Sequence, residues 1–344
     1  MIRVGIMGGS GYTGLELLRI LTEHPEVEIR WVSSESYQGK TIEQYCPAWR
    51  GRKNRVFCST AQAIQNGGVD LVFLALPHGS SMQFASQFLT QGVRVIDLGA
   101  DFRLKNVSLY QKYYEIEHQA LTWLTEAAYG IPEIYREEIR KARLVANPGC
   151  YPTSVLIPLY PLIREKVLEP TLVVDSKSGV TGAGKKPTEN SHFGEVDENF
   201  KAYKVGNHRH LPEIKEQLKN LYQEEVSLIF TPHLLPLKRG ILSTIYLNLK
   251  QELAEEELIA IWKKYYQNER WVRIYPLGSL PETKWVVGSN FCDLGLVKVD
   301  SKKVVIVSCI DNLTKGASGQ AVQNMNLMFG LGEETALPSQ VLYP

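Results

Sequence analysis

Short, mainly apolar segments alternate with helical stretches over the first 146 residues. The apolar segments are IRVGIM (2–7), VEIRWVSS (27–34), VDLVFLAL (69–76) and VRVIDLG (93–99). The stretch after the first segment carries Leu15, Leu18 and Leu21 at helical spacing. Strands that are apolar on both faces are typical of a parallel sheet covered by helices, so this pattern predicts a domain of βαβ units.

The pattern changes after Cys150, where strand-like segments follow one another with few helices between them. These segments are LVVDSKSG (172–179), SLIFTP (227–232), ILSTIYLNL (241–249), WVRIYPL (271–277), KWVVGSNFCDLGLV (284–297) and KVVIVSCID (303–311). Successive strands of this kind favour an antiparallel sheet. The predicted fold class is therefore α/β plus α+β: a Rossmann-type parallel-sheet domain and a second domain built on a mostly antiparallel sheet with helices.

The same change in pattern predicts the domain boundaries. We expect one domain at residues 1–149 and a second at 150–311. Near the end of the chain, Val322, Met325, Met328 and Phe329 recur at helical spacing, which predicts a helix at 319–329. We expect the C-terminal helical segment, residues 312–344, to pack back on the first domain.

Composition and charge narrow the class of partner. The chain has 344 residues, and 38 Lys and Arg nearly balance 37 Asp and Glu. It carries no basic block interleaved with aromatic residues, which argues against nucleic-acid and membrane-surface partners and favours a small-molecule substrate. The five cysteines are odd in number and form no CxxC pair or metal-ligand spacing, which predicts no metal. With no signal-peptide pattern and no long apolar run, these features predict a cytoplasmic protein.

A glycine-rich motif follows the first strand. Gly9, Gly11 and Gly14 form a GxGxxG pattern directly before the first amphipathic helix, which is the context of a dinucleotide-binding turn. The alternative interpretation is a tight turn with no ligand. The second strand ends in Ser33 and Ser34, where NAD sites usually have an acidic residue. These serines and the downstream cations Lys40, Arg50, Arg52 and Lys53 favour NADP over NAD.

Cys150 lies in the segment NPGCYPTS, between a Pro-Gly turn and a stretch with helical spacing. The N-terminus of a helix stabilises a thiolate, which is the nucleophilic form of cysteine. The alternative is a small buried cysteine with no chemical role. We interpret Cys150 as a nucleophile, and the other four cysteines as structural. A thiolate beside a nicotinamide indicates an aldehyde and acyl-phosphate oxidoreductase.

Acid–base and phosphate-binding candidates occur in three segments. His208, Arg209, His210 and Glu213 lie within six residues, and we favour His210 as acid–base group, with Glu213 orienting it and His208 as second choice. A solvated surface loop is the alternative. Arg103 follows a predicted strand end, where an oxyanion would bind. The segment SGVTGAGK (178–185) could approach a ring or phosphate, although Lys186 breaks the P-loop pattern.

Eight motifs together resemble the N-acetyl-γ-glutamyl-phosphate reductase family, which belongs with the semialdehyde dehydrogenases. The motifs are GGSGYTGLELLR, ALPHG (75–79), DLGADFRL (97–104), NPGCYPTS, SGVTGAGK, HRHLPEI, FTPHLLPLKRGI (230–241) and DNLTKGASGQAVQN (311–324). The resemblance implies NADPH-dependent reduction of N-acetyl-γ-glutamyl phosphate to N-acetylglutamate 5-semialdehyde with phosphate release, in arginine biosynthesis. It also implies an NADP-binding Rossmann-like domain, a catalytic and dimerisation domain, and assembly as a homodimer or homotetramer.

The resemblance assigns roles to residues of this sequence. Cys150 matches the family's nucleophile. Cofactor contacts are expected at Gly8, Ser10, Gly11, Tyr12, Thr13, Gly14, Ser33, Ser34, Pro77, Ser178, Gly179, Gly182, Ala183, Gly184 and Asn312. Substrate-phosphate contacts are expected at Arg103, Lys185 and Arg209. Three alternatives remain: an aspartate-semialdehyde dehydrogenase-type enzyme, a lysine-pathway reductase with a carrier-bound substrate, and a non-catalytic NADP-binding regulator.

Overall fold

The computed structural model describes residues 1–52, 54–189 and 191–342. The chain divides into two compact units. The first contains residues 1–148 and 318–337, and the second contains residues 149–317 and the segment from 338 onward. Lys53, one of the cations considered for an NADP phosphate, lies outside the described residues.

The described part of the first unit forms a seven-stranded parallel sheet. Its strands are β1 (Ile2–Met7), β2 (Val27–Ser33), β3 (Phe57–Cys58), β4 (Leu71–Leu74), β5 (Arg94–Asp97), β6 (Ala128–Tyr129) and β7 (Leu144–Ala146). Their order is β3-β2-β1-β4-β5-β7-β6. Every residue of β4 and the last four of β1 are buried, because helices cover both faces of these strands. β1 and β4 are neighbours, so the loops that follow them lie side by side.

Helices connect the strands of this sheet. They are α1 (Tyr12–Thr22), α2 (Ile42–Tyr45), α3 (Thr60–Asn66), α4 (Ser81–Thr90), α5 (Val107–Tyr114), α6 (Leu121–Glu126) and α7 (Pro132–Lys141). α1 buries Leu17, Leu18 and Leu21, which continue the apolar spacing seen in the sequence. Thr41 and Ser59 begin α2 and α3 with capping boxes, which satisfy the first backbone N–H groups of those helices.

The described part of the second unit forms a mixed seven-stranded sheet. Its strands are β8 (Leu168–Gly179), β9 (Lys201–Ala202), β10 (Ser227–Leu235), β11 (Ile241–Leu249), β12 (Val272–Ile274), β13 (Cys292–Lys298) and β14 (Lys303–Ile310). The order is β12-β13-β14-β11-β8-β10-β9. The β8–β10 and β12–β13 pairs are parallel and the other neighbouring pairs are antiparallel. The predicted fold class is confirmed.

Helices cover one face of this sheet. They are α8 (Cys150–Arg164), α10 (His210–Tyr222) and α11 (Glu255–Tyr266), whereas the short helix α9 (Phe193–Val196) is mostly exposed. α8 packs on β8, β11 and β14, with α10 and α11 beside it. α8 runs through Pro158 and Pro161. Because Pro161 has no N–H, the carbonyl of Ile157 loses its helical partner and instead accepts a hydrogen bond from the Tyr266 hydroxyl.

The C-terminal segment differs in part from the expectation. The helix there is α12 (Gly319–Met328), which packs on α1 and α7 within the first unit. Residues 312–317, in contrast, belong to the second unit, because Asp311 accepts the N–H groups of Leu313 and Thr314 and ties this turn to β14. Residues 338–342 also belong to the second unit, where the carbonyl of Pro338 accepts a hydrogen bond from the Asn290 N–H.

One predicted strand is shorter than expected. The segment 284–297 forms a strand only from Cys292, and residues 283–291 form a 3₁₀ turn and an irregular loop. Gly288 has a φ of 81°, which ends any extended structure, and its N–H binds the Asp311 carboxylate at 2.7 Å. The apolar residues of this segment fill the interior of a loop rather than a sheet, since Val286 is fully buried.

Candidate active-site residues

The glycine-rich turn of the first unit lies between β1 and α1. Gly8 has a φ of 81°, and a Cβ there would lie 2.2 Å from the carbonyl oxygen of Ala75. A Cβ on Gly14 would lie 2.4 Å from the carbonyl oxygen of Gly8. The fold itself therefore requires glycine at both positions.

Gly11 is different from these two glycines. A Cβ there would meet only the carbonyl oxygen of Gly8, at the ordinary contact distance of 3.6 Å, and its φ of −75° suits any residue. Nothing within the turn requires Gly11, whereas a ligand that approaches the backbone closely would. Gly11 is also the N-cap of α1 and has no side chain to cap it, so the first N–H groups of the helix face outward for an anion. These features fit a dinucleotide pyrophosphate.

The end of β2 presents hydroxyl groups. Ser33 and Ser34 are both buried, and the Ser34 hydroxyl lies 2.8 Å from the Ser10 hydroxyl. Hydrogen bonds from the side chain and then the backbone N–H of Thr60 lower the pKa of the Glu35 carboxyl group. Glu35 therefore binds the first residue of α3. Serine hydroxyls, rather than a carboxylate, therefore occupy the position that discriminates between the two dinucleotides.

The downstream cations have partners of their own. Arg50 pairs with Glu43, Arg52 pairs with Glu23, and the Lys40 ammonium lies 5.6 Å from the centre of the Tyr37 ring. The preference for NADP stays a prediction at these positions.

Two further predicted cofactor residues lie in loops of the first unit. Pro77 lies in the loop after β4, where its carbonyl accepts the Ser80 N–H. The carbonyl of Thr13 accepts a hydrogen bond from the Ser318 hydroxyl.

Arg103 lies in a buried polar cluster of the first unit. Its guanidinium donates to the carbonyl oxygens of Asn147 and Leu98, at 2.7 and 2.8 Å, and the residue is 5% exposed. Asn147 also accepts the side-chain amide of Asn324. Arg103 therefore braces the backbone that leads to the Pro148–Gly149 turn. Its predicted contact with the substrate phosphate stays a prediction.

Two buried aspartates lie beside Arg103. Asp101 accepts the N–H groups of Gly79 and Ser81 and the Tyr110 hydroxyl. Asp97 accepts the Gly99 N–H and is fully buried. Burial, followed by the nearby charge of Asp101, raises the pKa of Asp97 to about 7. These carboxyl groups order the loops after β4 and β5.

The thiol of the second unit lies at the start of α8. Gly149 is the N-cap and Cys150 is the first helical residue, as the sequence predicted. Cys150 is half-buried, whereas Cys292 and Cys309 are buried. A Cβ on Gly316 would lie 2.8 Å from the Cβ of Cys150, so the turn after β14 packs directly on the thiol residue.

The His210 ring packs on the residue before the thiol. A Cβ on Gly149 would lie 2.5 Å from His210 Nε2, so only glycine leaves room for the imidazole. Glu213, one helical turn further along α10, accepts the Gly149 N–H at 2.8 Å and is 1% exposed. The structure thus brings Cys150, His210 and Glu213 together across a separation of about 60 residues in the sequence, and Glu213 fixes the turn that carries the thiol.

His208 lies beside His210, and both are half-buried. Burial, with smaller effects of Lys204 and Arg209, lowers the pKa of His208 to about 3. Its ring therefore stays neutral near pH 7. Its ring centre lies 4.9 Å from that of His210 and 5.5 Å from that of Tyr151. Tyr151 and Tyr203 complete this aromatic cluster, and neither was identified from the sequence.

The local fold explains most of the glycines in the second glycine-rich segment, residues 178–185. A Cβ on Gly179 would lie 2.9 Å from the backbone nitrogen of Arg239, and Gly184 has a φ of 89°. Residues Val180–Ala183 form a 3₁₀ turn, with a Cβ on Gly182 only 3.2 Å from the Ser178 hydroxyl. Their cofactor contacts, including that of Ala183, stay predictions. Lys185 and Arg209 are exposed, and their contacts with the substrate phosphate stay predictions.

Asn312 and its neighbours form a hub that the sequence did not reveal. The Asn312 amide accepts the Gly240 N–H and donates to the Thr181 hydroxyl, both at 2.9 Å. Asp311, which is fully buried, pairs with Arg239 at 2.9 Å. This hub fixes the turn that packs on Cys150. In the sequence, the signal for this hub was the segment Lys238-Arg239-Gly240 before β11. Asp311, the buried partner of Arg239, lies 72 residues away.

Three comparisons relate this chain to known proteins. The semialdehyde dehydrogenase NAD binding domain family matches residues 3–142, and the semialdehyde dehydrogenase dimerisation domain family matches residues 150–312. N-acetyl-γ-glutamyl-phosphate reductase from Pelotomaculum thermopropionicum is 49% identical and covers 100% of this chain and 99% of its own. The enzyme of the same name from Symbiobacterium thermophilum is 50% identical and covers 98% and 97%. The chain belongs to the N-acetyl-γ-glutamyl-phosphate reductase family.

Solved structures of the wider superfamily share the fold of this family member. Aspartate semialdehyde dehydrogenase II from Vibrio cholerae has a TM-score of 0.74 at 17% identity, over 96% of this chain and 99% of that one. The Candida albicans aspartate semialdehyde dehydrogenase with NADP has a TM-score of 0.70 at 15% identity, over 96% and 98%. At such identities the likeness concerns the fold alone. The resemblance inferred from the motifs is confirmed, and with it the assignment to a reductase family with a nicotinamide-dinucleotide domain.

The described part of the chain contains neither a metal-binding cluster nor a membrane-spanning helix. Among residues 1–52, 54–189 and 191–342, His, Cys, Asp and Glu side chains form no group of three or more that could hold a metal ion. In the same part of the chain, every helix is too short or too polar to cross a membrane.

Proposed function

We propose that this chain catalyses the NADPH-dependent reduction of N-acetyl-γ-glutamyl phosphate to N-acetylglutamate 5-semialdehyde, with release of phosphate, as a step of arginine biosynthesis. The observation that carries the proposal is the half-buried Cys150 at the start of α8, with the His210 imidazole packed on Gly149. The family relationship supports the choice of substrate, and the geometry supports Cys150 as nucleophile with His210 as its acid–base partner.

The first step is attack of the Cys150 thiolate on the acyl carbon. The N-terminus of α8 stabilises the thiolate, and the His210 ring takes the thiol proton. A C–S bond forms, the C–O bond to phosphate breaks, and His210 returns its proton to the departing phosphate. The product of this step is a thioester on Cys150.

The second step releases the aldehyde. A nicotinamide dinucleotide, when bound at the turn from Gly8 to Gly14, supplies the hydride that reduces the thioester carbon. The C–S bond then breaks, and Cys150 leaves as a thiolate that takes a proton from solvent. Gly11 and the N-terminus of α1 would hold its pyrophosphate, and Ser34 with Ser10 would accommodate its ribose 2′-phosphate.

The remaining site residues act in support. Glu213 holds the Gly149 N–H and so fixes the turn before the nucleophile. The exposed cations Arg209 and Lys185 attract the substrate phosphate, and Arg103 orders the backbone before the turn. The five cysteines are all free thiols, which is consistent with a reducing, cytoplasmic environment.

We expect the second unit to form a homodimer through the open face of its sheet. A row of apolar side chains crosses five strands on this face: Ile229, Val173, Tyr246, Val305 and Val297, in register. Ile229 is 58% exposed and Tyr246 is 46% exposed. Exposed apolar rows of this kind mark interfaces, and the matched family is described as a dimerisation domain.

The test measures phosphate-dependent NADP reduction with N-acetylglutamate semialdehyde and, separately, with aspartate semialdehyde. We expect activity with the acetylated substrate, and loss of several orders of magnitude in Cys150→Ser. Activity with aspartate semialdehyde instead would assign the chain to the sibling enzyme class. Activity only with a carrier-bound substrate would indicate the lysine-pathway class, and cofactor binding without turnover would indicate a regulator.

A further inference from the structure

A chain of hydrogen bonds leads away from the backbone of His210. The His210 N–H donates to His208 Nδ1 at 3.0 Å. His208 Nε2 lies 3.4 Å from the Tyr203 hydroxyl, which lies 3.2 Å from the Tyr151 hydroxyl. The Tyr151 hydroxyl donates to the carbonyl oxygen of His233 at 3.3 Å. Four side-chain and backbone contacts thus join the start of α10 to β10.

Both ends of this chain fix its direction. A backbone N–H can only donate, so His208 Nδ1 is an acceptor and carries no proton. A carbonyl oxygen can only accept, so the Tyr151 proton points to His233 and the Tyr151 oxygen accepts from Tyr203. The Tyr203 oxygen must then accept from His208, whose proton is on Nε2. One tautomer of one neutral imidazole satisfies every contact.

The surroundings of His208 keep the ring neutral. The half-buried ring packs among aromatic rings, with its centre 5.4 Å from that of Tyr203 and 5.6 Å from that of Phe230. Burial and the cations Lys204 and Arg209 lower the pKa of His208 to about 3. An imidazole that stays neutral at working pH is a poor general acid.

We propose that His208 is a positioning residue: it stays in the neutral Nε2–H tautomer and holds the His210 backbone, while Tyr203 accepts the Nε2–H and Tyr151 orients the Tyr203 hydroxyl. This inference rests on the proposed function, in which His210 exchanges protons with Cys150 and phosphate. It assigns different roles to two histidines that are separated by one residue, and it adds two tyrosines to the residues on which the reaction depends.

The first experiment separates the two ring nitrogens of His208. In His208→Asn, the side-chain oxygen takes the place of Nδ1 and can still accept the His210 N–H. In His208→Gln, an amide reaches the place of Nε2, and the acceptor for the His210 N–H is lost. His210→Asn is the matched variant at the proposed acid–base residue.

We expect kcat of His208→Asn to stay within about threefold of the wild type. His208→Gln should lose about tenfold or more, because a buried N–H is left without its acceptor. His210→Asn should lose about 10²–10⁴-fold, as general acid–base groups do. KM for NADPH should stay unchanged in all three. If His208→Asn loses as much as His210→Asn, or if His208→Gln loses nothing, the inference is wrong.

The second experiment observes the tautomer directly in the full-length protein. Nitrogen-15 NMR of the histidine rings, with the His208 signal assigned by its loss in His208→Gln, should show the Nε2–H form between about pH 5 and pH 9. Tyr203→Phe should keep this form, because the His210 N–H still faces Nδ1, but should shift the Nε2 signal, which loses its acceptor. A signal from the Nδ1–H form, or a titration near the ordinary histidine value, would overturn the inference. This measurement needs no turnover, so it judges the inference separately from the proposed function.

Discussion

Replacing Gly149 by alanine should displace the His210 imidazole while leaving the backbone intact. The added Cβ would lie 2.5 Å from His210 Nε2 and 2.7 Å from Cε1. An ordinary contact needs about 3.4 Å, so the ring must move by about 1 Å. The φ and ψ of Gly149, −68° and 155°, are accessible to alanine, so the substitution adds no backbone strain.

A misplacement of about 1 Å near reacting groups costs about 10²-fold in rate, or about 2.7 kcal/mol of transition-state stabilisation. Steady-state kinetics should therefore give a kcat for Gly149→Ala about 100-fold below the wild type, with KM for NADPH unchanged. Gly194→Ala is the control, because the nearest atoms to its Cβ lie at 3.8 Å. A kcat of Gly149→Ala within threefold of the wild type would refute the role of this imidazole.

Three further predictions concern the cofactor turn, a buried carboxyl group and the open sheet face. Gly11→Ala should change the Tm by no more than about 2 °C, because a Cβ has room there. The same substitution should raise KM for NADPH about tenfold, because the Cβ would meet the cofactor. A large loss of Tm without a change in KM would contradict this prediction. The folded state keeps the Asp97 proton to about pH 7 and the unfolded state loses it near 3.8, so wild-type stability should fall as pH rises through this window. Asp97→Asn should flatten that slope in thermal unfolding at several pH values; an unchanged slope would mean that Asp97 is not the source. Tyr246→Asp should yield monomers in light scattering after size exclusion, whereas a persistent dimer would exclude this face as the interface.

Local patterns in the sequence were enough to predict the elements that carry the chemistry. The continuous apolar strands and GxGxxG predicted the parallel sheet and the turn before α1. The Pro-Gly turn followed by helical spacing predicted that Cys150 begins a helix. Each of these depends on residues within about ten positions, where backbone sterics and periodicity decide the outcome.

The contacts that complete the site depend on residues far apart in the sequence, and no local pattern encodes them. Glu213 was predicted to orient His210, and its carboxylate accepts the N–H of Gly149, 64 residues earlier. Arg103 was predicted for a phosphate and donates to backbone carbonyls, one of them 44 residues away. Such pairings follow from tertiary packing of α8 on α10 and of the β5 loop on β7, which periodicity does not determine.

The apolar segment 284–291 shows the same limit in the fold. Its composition favours a strand, but Gly288 adopts a left-handed conformation and binds Asp311, so the segment folds into a loop instead. Burial of Val286 explains the apolar composition. Apolar runs alone do not separate a strand from a buried loop.

The most direct test of the central claim is mass spectrometry of the protein after mixing with N-acetyl-γ-glutamyl phosphate in the absence of NADPH. The account predicts one N-acetylglutamyl group, bound as a thioester on the peptide that carries Cys150 and discharged when NADPH is added. Turnover by a protein that never acquires this group, or that acquires it on another residue, would contradict the account.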